Sequence, residues 1–371
     1  MKKLRIAVIG AGRLGGFHAQ KLAGMPEADL LAVVDPVSAS RQRVAAECGC
    51  LALADYRNLL GRIDAAVIAA PTAFHYQLAK ELIAQNVHLL VEKPLCMNSN
   101  EADELVALAQ MRNLVLQVGH VERFNPAFTA AAANIAYPKY IETVRTSGFT
   151  FRSTDIGAVL DLMIHDLDLI LSIVKCRARK IDAVGFRVVS RDEDVANARI
   201  QFESGCVANL TVSRVSRDVV RRMQAWSQRT FASVDFAART TMLIRPSETL
   251  LQGSFQVDEL SPEQVIYYQK HFAEEHLPCE QLQFEAVDAL ALELQDFVQS
   301  IRKPREPLVN GQSGRDAVAL AEEILNCIRA RWDTCGDNYA DQTADQRPYI
   351  IPVTPFSLAC NVLSLQQREA G

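Results

Sequence analysis

The sequence lacks the features of a membrane protein and of a nucleic-acid-binding protein. No stretch comes close to the roughly 18 uninterrupted apolar residues that a membrane-spanning helix requires. Basic residues are not in excess, because 39 lysines and arginines stand against 44 acidic residues, for a net charge of -5. Without a basic field to hold a phosphate backbone, the chain has no electrostatic footprint for nucleic acid. We therefore expect neither a membrane nor a nucleic acid as a partner.

Paired cysteines and a signal peptide are also missing. The nine cysteines are an odd number and form no C-x-x-C pair, so we expect free thiols, most of them in the core. Met1, Lys2 and Lys3 open the chain as a signal peptide would, but Arg5 and Arg13 interrupt the short apolar stretch that follows. We therefore expect a cytoplasmic protein.

Length and composition fit an ordinary globular protein of two domains. The chain has 371 residues, of which 49% are hydrophobic and 22% charged, as is typical of globular domains. The pattern of apolar and polar residues changes after Pro126. We predict a first domain over residues 1–122, a second over 123–332 and an irregular arm over 333–371.

The first domain is predicted to be a doubly wound α/β domain. Short apolar runs alternate with amphipathic stretches of helical periodicity. The runs are LRIAVIG, ADLLAVVD, AAVIAAP, VHLLVEKP and LVLQVGH. Because these runs are continuously apolar, the strands are expected to be buried on both faces, in a parallel sheet covered by helices.

The second domain is predicted to be an α+β domain with a mostly antiparallel sheet. Residues 156–174 have the periodicity of one helix. The strand-like runs KIDAVGFRVVS, VANARIQFES, CVANLTVSRVS and TTMLIRP then follow at the short spacing of a meander. Helical periodicity returns in FEAVDALALELQDFVQSI and in SGRDAVALAEEILNCIRARW.

A glycine-rich turn follows the first predicted strand. Gly10, Gly12 and Gly15 form G-x-G-x-x-G between a strand and a helix, which permits a tight turn, close approach of a pyrophosphate and tight helix packing. Arg13 and Leu14 open the helix, where free N–H groups attract phosphate. On its own, the motif also fits a plain turn between a strand and a helix.

Asp35 completes the signature of a dinucleotide-binding domain. It ends the second apolar run, 20 residues after Gly15, where the acceptor for a ribose diol belongs. A carboxylate accepts a hydrogen bond from a 2'-hydroxyl and repels a 2'-phosphate, so NAD is favoured over NADP. Arg41 and Arg43 lie near enough to serve a phosphate, although a solvated helix face explains them better.

Lys93 lies where a parallel sheet binds its ligands. It follows the predicted strand VHLLV, within Glu92-Lys93-Pro94, and open α/β sheets bind ligands beyond the carboxyl ends of their strands. A lysine at this place is suited to proton transfer. The alternative is an ordinary solvated lysine at the end of a strand.

Polar residues share one face of the apolar helix predicted over 156–174. Asp161, His165 and Asp168 fall at i, i+4 and i+7, and on so apolar a helix they need partners or a cavity. We expect Asp161 to orient the imidazole of His165, which would take a hydroxyl proton while hydride leaves the same carbon. A structural His–Asp pair is the alternative. We expect no metal, since the spacing lacks a clear set of ligands.

The segment GHVERFNP lies at the junction of the two predicted domains. His120, Arg123 and Asn125 are suited to recognising hydroxyl and anionic groups of a substrate. A hinge with ordinary hydrogen bonds explains the segment equally well.

Together these motifs resemble the glucose-fructose oxidoreductase, inositol dehydrogenase and MocA (Gfo/Idh/MocA) family, over about residues 4–330. Further marks of the resemblance are Ala70-Pro71-Thr72 with His75, the D-x-x-x-H-D pattern from Asp161 to Asp166, and VNGQSGRDAVALAEEI. The resemblance implies a Rossmann domain that binds NAD or NADP. It also implies a second domain whose large open sheet often packs in oligomers.

The resemblance also assigns roles to individual residues. Lys93, Asp161 and His165 would be the catalytic trio. The cofactor would contact the glycine turn, Asp35 and residues that follow later strands, namely Pro71, Thr72, His75, Glu92 and Lys93. The substrate would contact Lys93, His120, Arg123, Asn125, Asp161 and His165.

Within the family, GHVERFNPAF and VLDLMIHDLDLIL are most similar to the UDP-N-acetylglucosamine 3-dehydrogenases. Their product passes to an aminotransferase that installs nitrogen for a 2,3-diamino sugar of lipid A. The resemblance thus implies NAD-dependent oxidation of a UDP-sugar by a homodimer or homotetramer, with an aminotransferase as a pathway partner. The alternatives are a dehydrogenase of a free sugar or cyclitol, and a non-catalytic NAD-sensing regulator.

Overall fold

The computed structural model describes residues 3–151 and 155–334. Nearly all of the predicted C-terminal arm therefore lies outside the described residues. Among the helices that are described, none combines the length and the apolarity that crossing a bilayer would need.

The first sheet has six parallel strands in the order β3-β2-β1-β4-β5-β6. The strands are β1 (Leu4–Ile9), β2 (Ala28–Val34), β3 (Leu51–Leu53), β4 (Ala65–Ile68), β5 (His88–Glu92) and β6 (Leu116–Gly119). The helices that connect them are α1 (Arg13–Ala23), α2 (Ser38–Cys48), α3 (His75–Ala84) and α4 (Ser99–Met111). The strand order reverses between β1 and β4, and a doubly wound sheet binds its ligand at such a point.

The second sheet has eight strands in the order β14-β13-β12-β11-β7-β10-β9-β8, and only β7 and β10 pair in parallel. The strands are β7 (Tyr140–Thr146), β8 (Ala178–Phe186), β9 (Val195–Phe202), β10 (Val207–Ser213), β11 (Val220–Trp226), β12 (Phe231–Asp235), β13 (Thr240–Ile244) and β14 (Cys279–Gln283). Burial alternates along β7, β9 and β10, so one face is covered and the other is open. The predicted combination of a Rossmann sheet and a mostly antiparallel second sheet is confirmed.

Six α-helices in the described part of the chain follow the first sheet. They are α5 (Pro126–Asn134), α6 (Ile164–Val174), α7 (Glu248–Leu251), α8 (Pro262–His276), α9 (Ala289–Arg302) and α10 (Gly311–Thr334). The prediction of one regular helix over 156–174 was wrong in its first part, because Val159–Met163 form a π-helical turn that leads into α6. Such single π turns inside helices are frequent at functional sites.

Helices α9 and α10 return to the first sheet from the far end of the chain. Leu294, Phe297 and Val298 of α9 are fully buried in the core that also holds Ile6 and Val8 of β1. We call the first sheet with the helices packed on it the first lobe, and the second sheet with its helices the second lobe. Helix α10 contacts α4 and β6 in the first lobe, and α6 and β8 in the second. The predicted domain boundary at residue 122 stays a prediction. Helices α9 and α10, which follow that boundary in the sequence, also pack on the first lobe.

Among the described cysteines, the expectation of a core location is met only in part, since two are buried and four half-buried ones pack against the core. Seven of the described cysteines are free, and only Cys96 and Cys206 among these are buried. Four others are half-buried, and Cys279 is exposed.

Candidate active site

The glycine turn between β1 and α1 is shaped by two close backbone contacts. Gly10 has φ +105, and a Cβ there would lie 2.4 Å from the carbonyl oxygen of Ala69. A Cβ on Gly15 would lie 1.8 Å from the carbonyl oxygen of Gly10. Around Gly12, by contrast, a Cβ would meet no heavy atom within 4 Å. Gly10 and Gly15 thus build the turn, while Gly12 leaves the backbone open to a ligand.

The first turn of α1 is suited to hold a pyrophosphate. No side chain caps the helix and no acidic residue lies in its first turn, so the first N–H groups and the positive end of the helix dipole remain available to an anion. Arg13 and Leu14 are exposed at this end. These features fit the nicotinamide dinucleotide that the glycine motif predicts.

Asp35 lies beside the glycine turn at the end of β2. Its Oδ2 accepts a hydrogen bond of 2.7 Å from the N–H of Ala11, and its Oδ1 accepts one of 2.8 Å from the N–H of Val37. The carboxylate therefore ties the turn to β2, and each oxygen keeps a lone pair for a ribose hydroxyl. Arg41 donates to the carbonyl oxygens of Asp35 and Pro36.

The loop after β4 is held together by a buried histidine. Nδ1 of His75 lies 2.8 Å from the carbonyl oxygen of Pro94, and Nε2 lies 2.8 Å from that of Ala70. Both ring nitrogens face carbonyl oxygens, so His75 links this loop to the segment after β5, and its predicted contact with the cofactor stays a prediction. Thr72 is buried in the same loop, and Pro71 is exposed.

Lys93 reaches from the end of β5 to the π-helical turn of the second lobe. Its Nζ donates to the backbone carbonyl oxygen of Asp161 at 2.6 Å and to Oδ1 of the same residue at 3.1 Å. The side chains of Lys93 and Asp161 are 14% and 21% exposed, so the pair is shielded from solvent without being sealed off. This contact brings the strand end and the apolar helix to one place.

His165 follows Asp161 by four residues and opens α6. Its Nδ1 is buried with no hydrogen-bond partner among the described residues. Burial lowers the pKa of His165 well below its usual value, and the positive charges of Lys93 and Arg145 lower it further. The imidazole is therefore neutral near pH 7 and able to accept a proton.

The expected orientation of His165 by Asp161 was wrong. No hydrogen bond joins the two side chains within the described residues, and the carboxylate of Asp161 pairs with Lys93 instead. The physical reason is the π-helical turn at Val159–Met163. The i, i+4 rule that predicted the contact holds for α-helical geometry, and one wider turn rotates the earlier residue away.

His120 lies beside His165 just beyond the end of β6. The two rings meet edge to face, with centroids 6.3 Å apart. Both ring nitrogens of His120 are buried with no partner among the described residues. Burial and the positive charges of Lys93 and Arg123 lower its pKa to about 3. Buried polar atoms without partners are costly, and a polar ligand bound here would satisfy them.

Arg123 and Asn125, both predicted to contact substrate, are already engaged within the protein. Nη1 of Arg123 donates to Oδ1 of Asp168 at 3.2 Å. Burial raises the pKa of Asp168 to about 7, although Arg123 opposes the rise. Oδ1 of Asn125 caps α5 at the N–H of Ala127, while its Nδ2 donates to Glu122.

Sequence reasoning missed a buried ion network behind His165. Arg145 of β7 donates to both carboxylate oxygens of Asp166 and, at 3.0 Å, to Glu122. Arg145 and Asp166 are almost fully buried, so the network anchors the first turn of α6. The signal in the sequence was an arginine at an inward-facing position of an alternating strand, YIETVRT.

A second buried cluster lies behind Lys93. Nε2 of His18 is 2.5 Å from Oε1 of Glu92, and Glu293 of α9 lies beside them. Burial alone would raise the pKa of Glu92, but the hydrogen bond and charge of His18 lower it. Burial and the charge of Glu92 raise the pKa of Glu293 well above its usual value, so that carboxyl holds a proton. Glu92 is thus held at the end of β5 by His18, and its predicted contact with the cofactor stays a prediction.

These three residues are the one group of possible metal ligands within the described part of the chain. Their donor atoms lie within 4.8 Å of one another and all three residues are buried. The hydrogen bond between His18 and Glu92 already uses one donor atom of each residue, and the raised pKa of Glu293 favours its protonated form, which is a poor metal ligand. We assign no metal to this cluster.

Two family models match the chain. The first, described as an oxidoreductase family with an NAD-binding Rossmann fold, matches residues 4–120. The second, the GFO/IDH/MocA C-terminal domain, matches residues 129–227.

Individual relatives agree with the family models. UDP-N-acetylglucosamine 3-dehydrogenase from Acidithiobacillus ferrooxidans is 35% identical over 89% of this chain and 99% of its own length, and its solved structure has a TM-score of 0.77. scyllo-Inositol 2-dehydrogenase (NAD(+)) from Bacillus subtilis is 27% identical over 83% of this chain and 89% of its own. GenD2 from gentamicin A biosynthesis, solved in complex with NAD, shares the fold at 19% identity, with a TM-score of 0.71 over 89% of this chain and 94% of its own. The chain therefore belongs to the Gfo/Idh/MocA family of oxidoreductases.

Proposed function

We propose that this oxidoreductase uses NAD to oxidise the 3-hydroxyl of UDP-N-acetylglucosamine to a ketone. When bound, NAD supplies the acceptor for the hydride that leaves carbon 3. Gly12 and the first turn of α1 would hold its pyrophosphate, and Asp35 would accept a hydrogen bond from its ribose.

His165 is proposed as the general base. It takes the hydroxyl proton as the hydride departs, so the alcohol loses two electrons and two hydrogens and the imidazole becomes imidazolium. Burial beside Lys93 and Arg145 keeps the ring neutral before the reaction. The edge of His120 lies against the same ring and would contribute a polar atom to the substrate.

Lys93 is proposed to polarise the hydroxyl that reacts. Asp161 holds its ammonium through two hydrogen bonds, and the third N–H remains for a substrate oxygen. Asp161 thus acts on the lysine, and the buried ion pair of Arg145 with Asp166 holds the histidine. The observation that carries the proposal is the contact between the two lobes. Lys93 of the first lobe binds Asp161 of the second lobe, and Asp161 lies one helical turn before His165.

NAD rather than NADP is proposed because a carboxylate occupies the position beside the ribose. The arginine that lies nearby, Arg41, binds the backbone carbonyls of Asp35 and Pro36. Arg43 pairs with Glu47 one turn further along α2, at 3.1 Å. Neither guanidinium is therefore left unpaired for a 2'-phosphate.

The choice of substrate is supported by the similarity to UDP-N-acetylglucosamine 3-dehydrogenase over nearly the whole length of that protein. Inositol dehydrogenases are more distant relatives, and they favour a free cyclitol as the second candidate. The ketone formed from a UDP-sugar would be the substrate of an aminotransferase. We also propose a homo-oligomer formed through the open face of the second sheet.

A substrate panel followed by absorbance of the reduced cofactor tests the function. We expect NADH to form with UDP-N-acetylglucosamine and not with N-acetylglucosamine, myo-inositol or scyllo-inositol, and NADP to be a much poorer acceptor than NAD. The Lys93→Met variant should still bind NAD but turn over about 10²–10⁴ times more slowly. Oxidation of a cyclitol alone would favour the second candidate, and NAD binding with no oxidation of any alcohol would favour a regulator.

A further inference from the structure

A small cavity lies between the segment that follows β6 and strands β11 to β13 of the second sheet. Its volume is about 250 Å³, and its walls include Arg221, Arg239, Phe236, Glu122 and Asn125. Arg221 belongs to β11 and Arg239 to the turn between β12 and β13. The catalytic steps described above use neither arginine.

The two arginines have no carboxylate partner among the described residues. Nε of Arg239 is buried without any hydrogen-bond partner, and Arg221 is exposed without an ion pair. Other arginines of the same lobe are paired, as Arg145 is with Asp166 and Arg214 with Asp194. A buried guanidinium nitrogen with no acceptor costs free energy unless a ligand supplies one.

The one carboxylate in the cavity wall is already neutralised. Oε1 of Glu122 accepts a hydrogen bond of 3.0 Å from Arg145, and Oε2 accepts one of 3.2 Å from Asn125. Glu122 therefore does not compete for the two free guanidinium groups, and the cavity keeps an excess of positive charge.

The cavity adjoins the reacting centre through this same network. Glu122 binds Arg145, which binds Asp166, the residue that follows His165. Arg221 is opposite Arg145 in the pairing of β11 with β7. Its charge is among those that lower the pKa of His165.

We propose that Arg221 and Arg239 bind the diphosphate of a nucleotide-sugar substrate. The inference rests on the proposed function and names the residues that would distinguish a nucleotide sugar from a free sugar. Arginine binds phosphate oxygens with two parallel N–H groups, and two guanidinium groups match the two phosphates. In a nucleotide sugar the diphosphate is attached to carbon 1, two ring atoms from carbon 3. A sugar whose carbon 3 lies at His165 would therefore place its diphosphate near this cavity.

Calorimetric titration with UDP, in the presence of saturating NAD, tests the assignment. We compare the wild type with Arg221→Ala, Arg239→Ala, Arg239→Lys and the matched control Arg222→Ala. Arg222 is the neighbouring exposed residue of β11, and alternation along the strand points it to the opposite face. The titration needs no turnover, and NAD affinity is measured separately to show that each variant is folded.

We expect Arg221→Ala and Arg239→Ala each to raise the Kd of UDP about tenfold or more. The Arg222→Ala variant should stay within about twofold, Arg239→Lys should recover part of the loss, and NAD affinity should be unchanged throughout. In turnover assays the KM for the UDP-sugar should rise in parallel with the Kd of UDP. Weaker UDP binding at higher salt in the wild type, with a smaller salt dependence in the variants, would support the same assignment.

The failures of the inference and of the proposed function are distinguishable. If the wild type oxidises UDP-N-acetylglucosamine while both alanine variants keep its UDP affinity and KM, the diphosphate assignment is overturned and the function stands. If the wild type binds UDP through the two arginines but oxidises no UDP-N-acetylglucosamine, the assignment stands and the proposed sugar is wrong. If the wild type binds no UDP, the assignment is overturned whatever alcohol is oxidised.

Discussion

At the scale of single residues, the candidate site depends on which groups carry charge before the substrate arrives. Lys93 is held by Asp161, and Arg145 is held by Asp166 and Glu122. His165 lies among these cations with Nδ1 buried and unpartnered. The cations disfavour a further positive charge, so the histidine stays an acceptor for a proton.

The pH dependence of the reaction follows from this arrangement. Because the pKa of His165 is lowered well below its usual value, the neutral form that acts as the base is retained as the pH falls from 8 to about 6.5. We therefore expect kcat/KM for oxidation to show no decline from His165 over this range, with its acid limb only below it. Initial rates across the range, normalised to NAD affinity, measure this.

The His165→Ala variant should turn over about 10²–10⁴ times more slowly than the wild type. Its pH profile should also lack the acid limb. The matched control is His271→Ala, a half-buried histidine of α8 whose ring stacks on Tyr267, which should leave the profile unchanged. An acid limb centred above pH 6.5 that disappears in His165→Ala would contradict the lowered pKa.

At the scale of elements, the turn between β1 and α1 separates two roles that the glycine motif combines. A Cβ on Gly15 would overlap the backbone of Gly10, whereas a Cβ on Gly12 would meet nothing within 4 Å. Gly15 is therefore required by the fold, and Gly12 by the ligand.

Alanine substitutions at the two positions should give opposite patterns. Gly12→Ala should unfold at nearly the wild-type temperature but bind NAD about tenfold or more weakly, since its methyl group lies where the pyrophosphate approaches. Gly15→Ala should lose stability by several kcal/mol, since backbone atoms must move to admit the methyl group. Thermal unfolding without NAD and titration with NAD measure the two effects; equal losses of stability in both variants would be the contrary result.

Elements whose pattern is local were predictable from the sequence, and those that depend on distant partners were not. The parallel strands β1, β2, β4, β5 and β6 were predicted because their runs are apolar throughout. Strand β3 has three residues, two of them exposed, and it carries no such signal. Strand β7 places an arginine, Arg145, at a buried position, and β11 has two exposed arginines in succession, so neither strand shows a plain alternation of apolar and polar residues.

The same limit applies to the site. Sequence patterns next to a predicted strand end or helix start were enough to identify the glycine turn, Asp35 and Lys93. The pairing of Asp161 with Lys93 depends on a π-helical turn and on a residue 68 positions away, and neither is visible in the spacing. Arg221 and Arg239 come together only when β11, β12 and β13 fold into one sheet.

At the scale of the whole molecule, the second sheet has one broad face that no other described element covers. Tyr140, Trp226 and Phe231 form an aromatic row on this face, with ring centroids 5.0 and 4.9 Å apart along it. All three remain partly exposed. A wide sheet face of this kind is typical of an interface between identical subunits.

Substitution in the aromatic row should therefore change the oligomeric state. We expect the wild type to be a dimer or tetramer at micromolar concentration, and Trp226→Arg to shift it to smaller species, because a charge would be buried in the interface. Light scattering after size-exclusion chromatography measures the mass. Tyr267→Arg, on the exposed side of α8, is the matched control, and a monomeric wild type would contradict the prediction.

Helix α10 touches both lobes along its length. Its start lies so close to β6 that a Cβ on Gly314 would meet the side chain of Val118 at 2.4 Å, and Arg315 pairs with Asp103 of α4. Further along, it packs on α6 and β8. A hinge motion between the lobes would have to break helix α10 or disrupt its packing on one of the lobes. We therefore expect the cleft between the lobes to keep its width, so that a change of substrate size would require smaller or larger side chains along the cleft.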